Sequence, residues 1–174
     1  MQVHVCSLSR LAATVEATGA RHVVTLINQG TAVERPATVA VDDHLFLGMN
    51  DIVAPMDGYI VPADAHVERL LAFVDGWWRT HSAQSPLVVH CWAGISRSTA
   101  AAYITACAVN PAEDEEALAG ELRRLSPSAT PNLRLVTIAD RMLGRDGRMV
   151  SAIERIGRGR DAFEGEPFAL RLGR

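Results

Sequence analysis

The chain contains no lysine: all 17 of its basic residues are arginine, set against 20 acidic ones. A net charge of −3 leaves no surplus of positive charge to hold a nucleic-acid backbone, so no nucleic-acid partner is expected. Cysteine is scarce as well. Cys6, Cys91 and Cys107 leave one thiol over in any pairing scheme and stand at no zinc-ligand spacing. That speaks against a disulfide scaffold and favours a reduced, cytoplasmic setting. His4, His22, His44, His66 and His81 form no metal-ligand grouping, and no metal or cofactor is expected. No apolar run approaches the length of a membrane span. The N-terminal stretch MQVHVCSLSRLAATVEATG lacks the basic flank and uninterrupted apolar core of a secretory signal, so neither export nor a membrane partner is expected. Internal repeats and low-complexity blocks are missing too. The absent lysine, with abundant alanine, points to a bacterial genome of high GC content, an inference about codons and not about physics.

What is present reads as one α/β domain over residues 1–174, with a core over about 1–145 and a C-terminal helix and docked tail over about 146–174. Val3–Leu8 alternates as a first strand, and Ser7 or Ser9 is placed to cap a helix through Ala17 that Gly19 closes. Arg21–Ile27 is a second, buried strand; strand, helix, strand with short joints predicts a parallel βαβ unit. His44–Met49 is the next strand, followed by a loop with two prolines and Gly58. Asp64 is placed to cap a helix over 65–81 whose Val67, Leu70, Leu71, Val74 and one of Trp77 and Trp78 share a face; the adjacent tryptophans read as core and rim. Downstream, Asn110 and Glu113 match a capping box for a helix to about Leu125, and the acidic run Glu113–Glu116 suits a helix N-terminus better than a metal. A further helix is expected over Asn132–Leu143, stopped by Gly144. A last amphipathic piece carries Met149, Val150, Ile153 and Ile156. Phe163, Phe168, Leu170 and Leu172 then suggest that the tail docks on the body. The arginines at 145, 148, 155, 158 and 160 read as a solvated helix face. The sum is a mostly parallel central sheet flanked by helices that concentrate in the C-terminal half.

The stretch that organises the chain is Leu87-Val-Val-His-Cys-Trp-Ala-Gly-Ile-Ser-Arg-Ser-Thr99. Pro86–His90 is a short β-branched run and reads as a buried strand; Ser98–Val109 is alanine-rich and reads as a helix packed on nearly all sides. Gly94 supplies the permissive backbone for the sharp turn between them. The N–H groups of such a loop and of the first helical turn lack backbone partners and can converge on an anion. Cys91 sits at that focus, where oriented N–H groups and Arg97 favour the thiolate. Arg97, six residues on, can hold two phosphoryl oxygens with its planar fork. Ser98 brings a hydroxyl within reach of the sulfur.

His90-Cys91-x-x-Gly94-x-x-Arg97-Ser98 resembles the signature of the cysteine-based protein tyrosine phosphatases, and the string HCWAGISRS resembles most the compact dual-specificity branch. The likeness is specific around 45–51 and 65–109, weaker at Pro131-Asn132 and faint elsewhere. It implies a single-domain protein-tyrosine-phosphatase-like fold and metal-independent hydrolysis of a phosphomonoester through a phosphocysteine. Trp92, Ala93, Gly94, Ile95, Ser96 and Arg97 would bind the phosphoryl group. The family draws a general acid from a loop after an upstream strand. Read from the strand, that residue is Asp51; counted back from the helix, it is Asp57. Asp51 is preferred because a strand end fixes the acid's position better than a mid-loop site. His90, one residue before the nucleophile on a strand, should point away from it and support the loop from behind. Asn132 resembles a position that braces the loop, although a first-turn polar residue would look the same. Relatives acting on phosphoinositides often carry lysine at the variable loop positions and this chain carries none, which favours a phosphorylated protein, phosphotyrosine first, or a small phosphomonoester. Two other readings stand beside hydrolysis: a phospho-ligand-binding module without turnover, and a thiol redox or sulfur-transfer protein.

Overall fold

The structure is a computed structural model and describes residues 1–80 and 84–173. Among the described residues five strands form one sheet in the order β3-β2-β4-β1-β5: β1 (Gln2–Ser7), β2 (His22–Ile27), β3 (His44–Gly48), β4 (Leu87–Cys91) and β5 (Phe168–Arg171). The first four run parallel, and β5 returns antiparallel against β1. The expected mostly parallel sheet is found, with one antiparallel edge. Both β2 and β4 are buried at every residue, which is why they read as continuous apolar runs rather than as alternation. Their successive side chains nonetheless divide between two faces. Val24, Leu26, Leu87 and Val89 enter the large cluster shared with α2 (Asp64–Thr80), α3 (Arg97–Val109), α4 (Glu115–Leu125), α5 (Leu133–Met142) and α6 (Arg148–Ile156). Val23 and Val88 join Cys6, Leu11 and Val15 in a smaller cluster beneath α1 (Leu11–Thr18).

Helix α3 runs through the middle of the larger layer, buried from Arg97 to Cys107. Four alanines (100, 101, 102 and 106) keep it thin enough for neighbours on every side, and Tyr103 gives its hydroxyl hydrogen to the Glu115 carbonyl at 3.1 Å. Trp77 is core and Trp78 is half-buried at the rim, as the periodicity of α2 predicts. The expected last residue of that helix, His81, lies outside the described residues. Among the described residues no helix is long and apolar enough to cross a membrane.

Several local expectations are corrected. Ser7 and Ser9 cap nothing: a 3-10 turn over Leu8–Arg10 intervenes before α1, and both hydroxyls bond the Glu164 carboxylate from the C-terminal tail. Asp64 is already helical and pairs with Arg141 at 2.6 Å. Helix α4 is capped by Asp114, which accepts from Ala117 N–H at 2.9 Å, because Pro111–Glu113 first make a turn in which Glu113 N–H reaches the Asn110 carbonyl. Leu170 and Leu172 are buried as expected of a docked tail, but Phe163 is fully exposed. Nor do the C-terminal arginines form one solvated face. Arg145 is buried and donates to Glu115 at 2.9 Å, to the Pro111 carbonyl at 3.1 Å and to the Cys107 carbonyl at 2.5 Å. Arg155 pairs with Glu116 across the α4–α6 contact.

Candidate functional site

β4 is the middle strand of the sheet, and Cys91 is its last residue, beside Ser7 of β1. From there the chain reaches the first residue of α3, Arg97, in a loop whose turn is made at Gly94 with φ of 73°. A Cβ at that glycine would lie 2.9 Å from the Cys6 carbonyl carbon and the Ser7 nitrogen, so both the conformation and the close approach to β1 require glycine.

The loop's carbonyls are turned outward and held there by other parts of the chain. Leu8 N–H donates to the Trp92 carbonyl at 3.1 Å, Gly165 N–H to Ala93 at 2.8 Å, Thr130 N–H to Ile95 at 2.9 Å, and Asn132 N–H to Ser96 at 3.3 Å. In a planar trans peptide each carbonyl opposes the next residue's N–H. Outward carbonyls at 92, 93, 95 and 96 therefore turn the N–H groups of Ala93, Gly94, Ser96 and Arg97 to the concave side. One of these, Gly94 N–H, lies 3.3 Å from Cys91 Sγ. The Ser98 hydroxyl lies 3.1 Å from the same sulfur.

Arg97 is 5% exposed and is fixed by the ends of two strands. Its Nη1 donates to Asn28 Oδ1 at 2.8 Å, just past β2, and to the Met49 carbonyl at 2.7 Å, just past β3. Its Nε–H is buried and has no protein partner, and among the described residues no carboxylate pairs with it. A buried, un-neutralised guanidinium with an unmatched donor is costly unless an anion completes it.

Behind the loop, His90 Nε2 and His44 Nε2 both contact the Thr25 hydroxyl, at 2.6 and 2.7 Å. His90 Nδ1 faces its neighbour's acceptor, the Cys91 carbonyl, at 3.4 Å, so that nitrogen carries the proton. It follows that His90 Nε2 accepts from the Thr25 hydroxyl while His44 Nε2–H donates to the same oxygen. Burial pushes His90 down to about 4, which keeps it neutral in this relay.

The two candidate acids are treated very differently. Asn50 N–H meets the Ile60 carbonyl at 2.8 Å and Asn50 Oδ1 accepts from Ile60 N–H at 2.9 Å, pinching residues 50–60 into a closed-neck loop. Asp51 sits at the neck. Its Oδ1 accepts from Ser96 of the loop between β4 and α3 at 2.7 Å and from Asn132 Nδ2 at 2.8 Å. Asp57 lies out on the exposed turn before Gly58 and has no hydrogen bond to the loop. Asn132 also caps α5, accepting from Leu135 N–H at 3.1 Å, so one side chain joins helix, acid and loop.

Cys91, Arg97, Ser98, Asp51, Ser96 and Asn132 thus meet at one end of the sheet. Trp92, 62% exposed, stands on the rim. Sequence reasoning missed Asn28, Thr25, His44 and Gly165. Asn28 could have been suspected, as a polar side chain directly after a buried strand; the others depend on contacts between distant segments.

No family model matches this chain and no curated relative does. Solved structures do match it. The Cydia pomonella PTP-2 phosphatase aligns at a TM-score of 0.60 with 20% identity, over 79% of this chain and 83% of that one. DUSP15 aligns at 0.64 with 13% identity over 88% and 90%. The human tyrosine phosphatase-like serine/threonine/tyrosine-interacting protein aligns at 0.61 with 17% identity over 83% and 92%. The fold is therefore that of the protein tyrosine and dual-specificity phosphatases.

Proposed function

We propose that the protein is a cysteine-dependent phosphomonoester hydrolase working through a phosphocysteine, with phosphotyrosine in proteins as its first substrate class. The observation that carries this reading is the loop itself. Four outward carbonyls, held by three separate segments (Leu8, Thr130–Asn132 and Gly165), turn N–H groups inward around Cys91 Sγ, next to a buried Arg97 whose Nε–H has no protein partner. A tetrahedral dianion supplies the acceptors and the negative charge that this arrangement lacks.

In the first step the Cys91 thiolate attacks phosphorus. The S–P bond forms as the ester P–O bond breaks, and Asp51 delivers a proton to the leaving oxygen. Loop N–H groups and the Nε edge of Arg97 stabilise charge on the equatorial oxygens, while Asn28 and the Met49 carbonyl hold the guanidinium in its plane. In the second step Asp51, now ionised, takes a proton from water as it attacks phosphorus. The S–P bond breaks, inorganic phosphate leaves, and the Ser98 hydroxyl, 3.1 Å from Sγ, stabilises the departing thiolate. Asp51 is assigned as the acid over Asp57 because Ser96 and Asn132 tie it to the loop.

Thiol redox chemistry is less well supported. Burial pushes Cys6 up to about 11 and Cys107 up to about 12, so neither offers a resolving thiolate near neutral pH. The test is steady-state hydrolysis of an aryl phosphate with chelator present, by wild type and Cys91→Ser. Activity that survives chelator and is lost in the variant is expected. Tight oxyanion binding without turnover in the reduced wild type would assign a binding module instead.

A further inference from the structure

Beside the phosphate-type loop lies a cavity of about 380 Å³ lined by Leu8, Ser9, Trp92, Ala93, Phe163 and Glu164. Its two aromatic walls are exposed: Trp92 by 62%, Phe163 by 105%. A free tail could leave a phenylalanine in water by chance, but this backbone is not free. Gly165 N–H donates to the Ala93 carbonyl at 2.8 Å. A Cβ on Gly165 would fall 2.9 Å from the Gly94 carbonyl oxygen, so only glycine lets the tail lie this close to the loop. Glu164 bonds Ser7 and Ser9, and upstream Arg160 N–H meets the Pro127 carbonyl at 2.9 Å. Phe163 is thus held out over the rim by a segment anchored on both sides. Trp92 is fixed opposite, through Leu8 N–H on its carbonyl and through Cys91, its covalent neighbour.

We propose that Trp92 and Phe163 form a substrate subsite, taking the apolar side chain next to the phosphorylated residue of a peptide. The proposal rests on the reading of the loop as a phosphoryl site. A peptide whose phosphoryl group enters that loop has to cross its rim, and this cavity, walled by Trp92 and Ala93 of the loop itself, is an apolar surface on that rim. Charge sharpens the selection. Hydrogen bonds from Ser7 and Ser9 hold the Glu164 carboxyl below its usual range, so the wall nearest Phe163 is anionic at neutral pH and repels an acidic flanking residue. Phe163 is therefore a specificity residue and takes no part in the chemistry.

The test is binding of paired phosphotyrosyl peptides, flanked on both sides by Phe or by Asp, to Cys91→Ser protein, read by fluorescence anisotropy. The Phe-flanked peptide is expected to bind about 10-fold tighter, the scale of burying part of one aromatic side chain. Adding Phe163→Ala should bring the two peptides within about 2-fold of each other, and Glu164→Gln should selectively recover the Asp-flanked one. In the otherwise wild-type chain, Phe163→Ala should leave kcat/KM for a small aryl phosphate unchanged. Equal binding of the two peptides to Cys91→Ser, or a preference undiminished by Phe163→Ala, would overturn the subsite while aryl phosphate turnover keeps the loop reading standing. Failure to bind either peptide would overturn the subsite, and together with no aryl phosphate turnover by the wild type it would overturn both.

Discussion

Two arginines in this molecule are almost equally buried and do opposite things. Arg145 and Arg97 are 6% and 5% exposed. Arg145 is completed from within the chain: Glu115 neutralises it, and the Pro111 and Cys107 carbonyls take further N–H groups. Arg97 receives two neutral acceptors, no carboxylate, and keeps a buried Nε–H without a protein partner. A charge balanced inside the fold is part of the fold; one left unbalanced marks where an anion from outside is to sit. The contrast needs no knowledge of the reaction, and of these two it is Arg97 that lies at the same end of the sheet as the cysteine.

Replacing each arginine should separate the two roles. Arg97→Lys keeps a charge but loses the fork, and kcat/KM should fall by about 10³-fold or more, close to 4 kcal/mol, with little change in melting temperature. Near-normal turnover in that variant would erase the distinction. Arg145→Met should instead unfold at lower denaturant, by about 3 kcal/mol, with kcat/KM per folded molecule retained. The loss stays near the lower end for a broken buried pair because Arg148, 3.2 Å from Glu115, still faces the carboxylate. Asp51→Asn should lower kcat by about 10²-fold on an alkyl phosphate and less on a good aryl leaving group, whereas Asp57→Asn should change neither. The reverse pattern in those two variants would move the acid to the loop tip.

A smaller effect lies behind the loop. His90 titrates near 4 when folded, against an ordinary value near 6.5, so between those values the unfolded chain binds more protons. Its contribution to stability is complete above about pH 6.5 and is lost as the pH falls through 4, on the order of 3 kcal/mol. Urea midpoints measured across that window should fall less steeply for His90→Gln than for wild type; parallel curves would deny the relay its place. The Arg97 variant should keep the wild-type slope.

Much of this was legible in one sequence, for physical reasons. β2 and β4 are buried on both faces, so their β-branched runs stand out without any partner being known. The loop's requirements are local as well: a turn at Gly94, a thiol before it and a guanidinium after it within seven residues. What could not be read depends on separation along the chain. Arg145 looked solvated because Glu115 lies thirty residues upstream and across a helix pair. β5 is four residues long and edge-placed, with too little pattern to reveal that it pairs antiparallel with β1. Capping expectations at Asp64 and Asn110 missed by one and four residues: helix ends shift by a residue with the preceding turn, and at α4 Asn110, Glu113 and Asp114 all stand near the start. Asp51 could be preferred but not distinguished from Asp57 until the Asn50–Ile60 neck placed one against the loop and the other away from it.

The central claim is that Cys91 carries the phosphoryl group during turnover. Rapid quenching of wild type into denaturant during hydrolysis, followed by peptide mass spectrometry, tests it most directly. The account predicts a phosphorylated peptide containing Cys91, absent in Cys91→Ser and accumulating further in Asp51→Asn as hydrolysis of the intermediate slows. A phosphoryl group found on another residue, or turnover with Cys91 unmodified throughout, would contradict it.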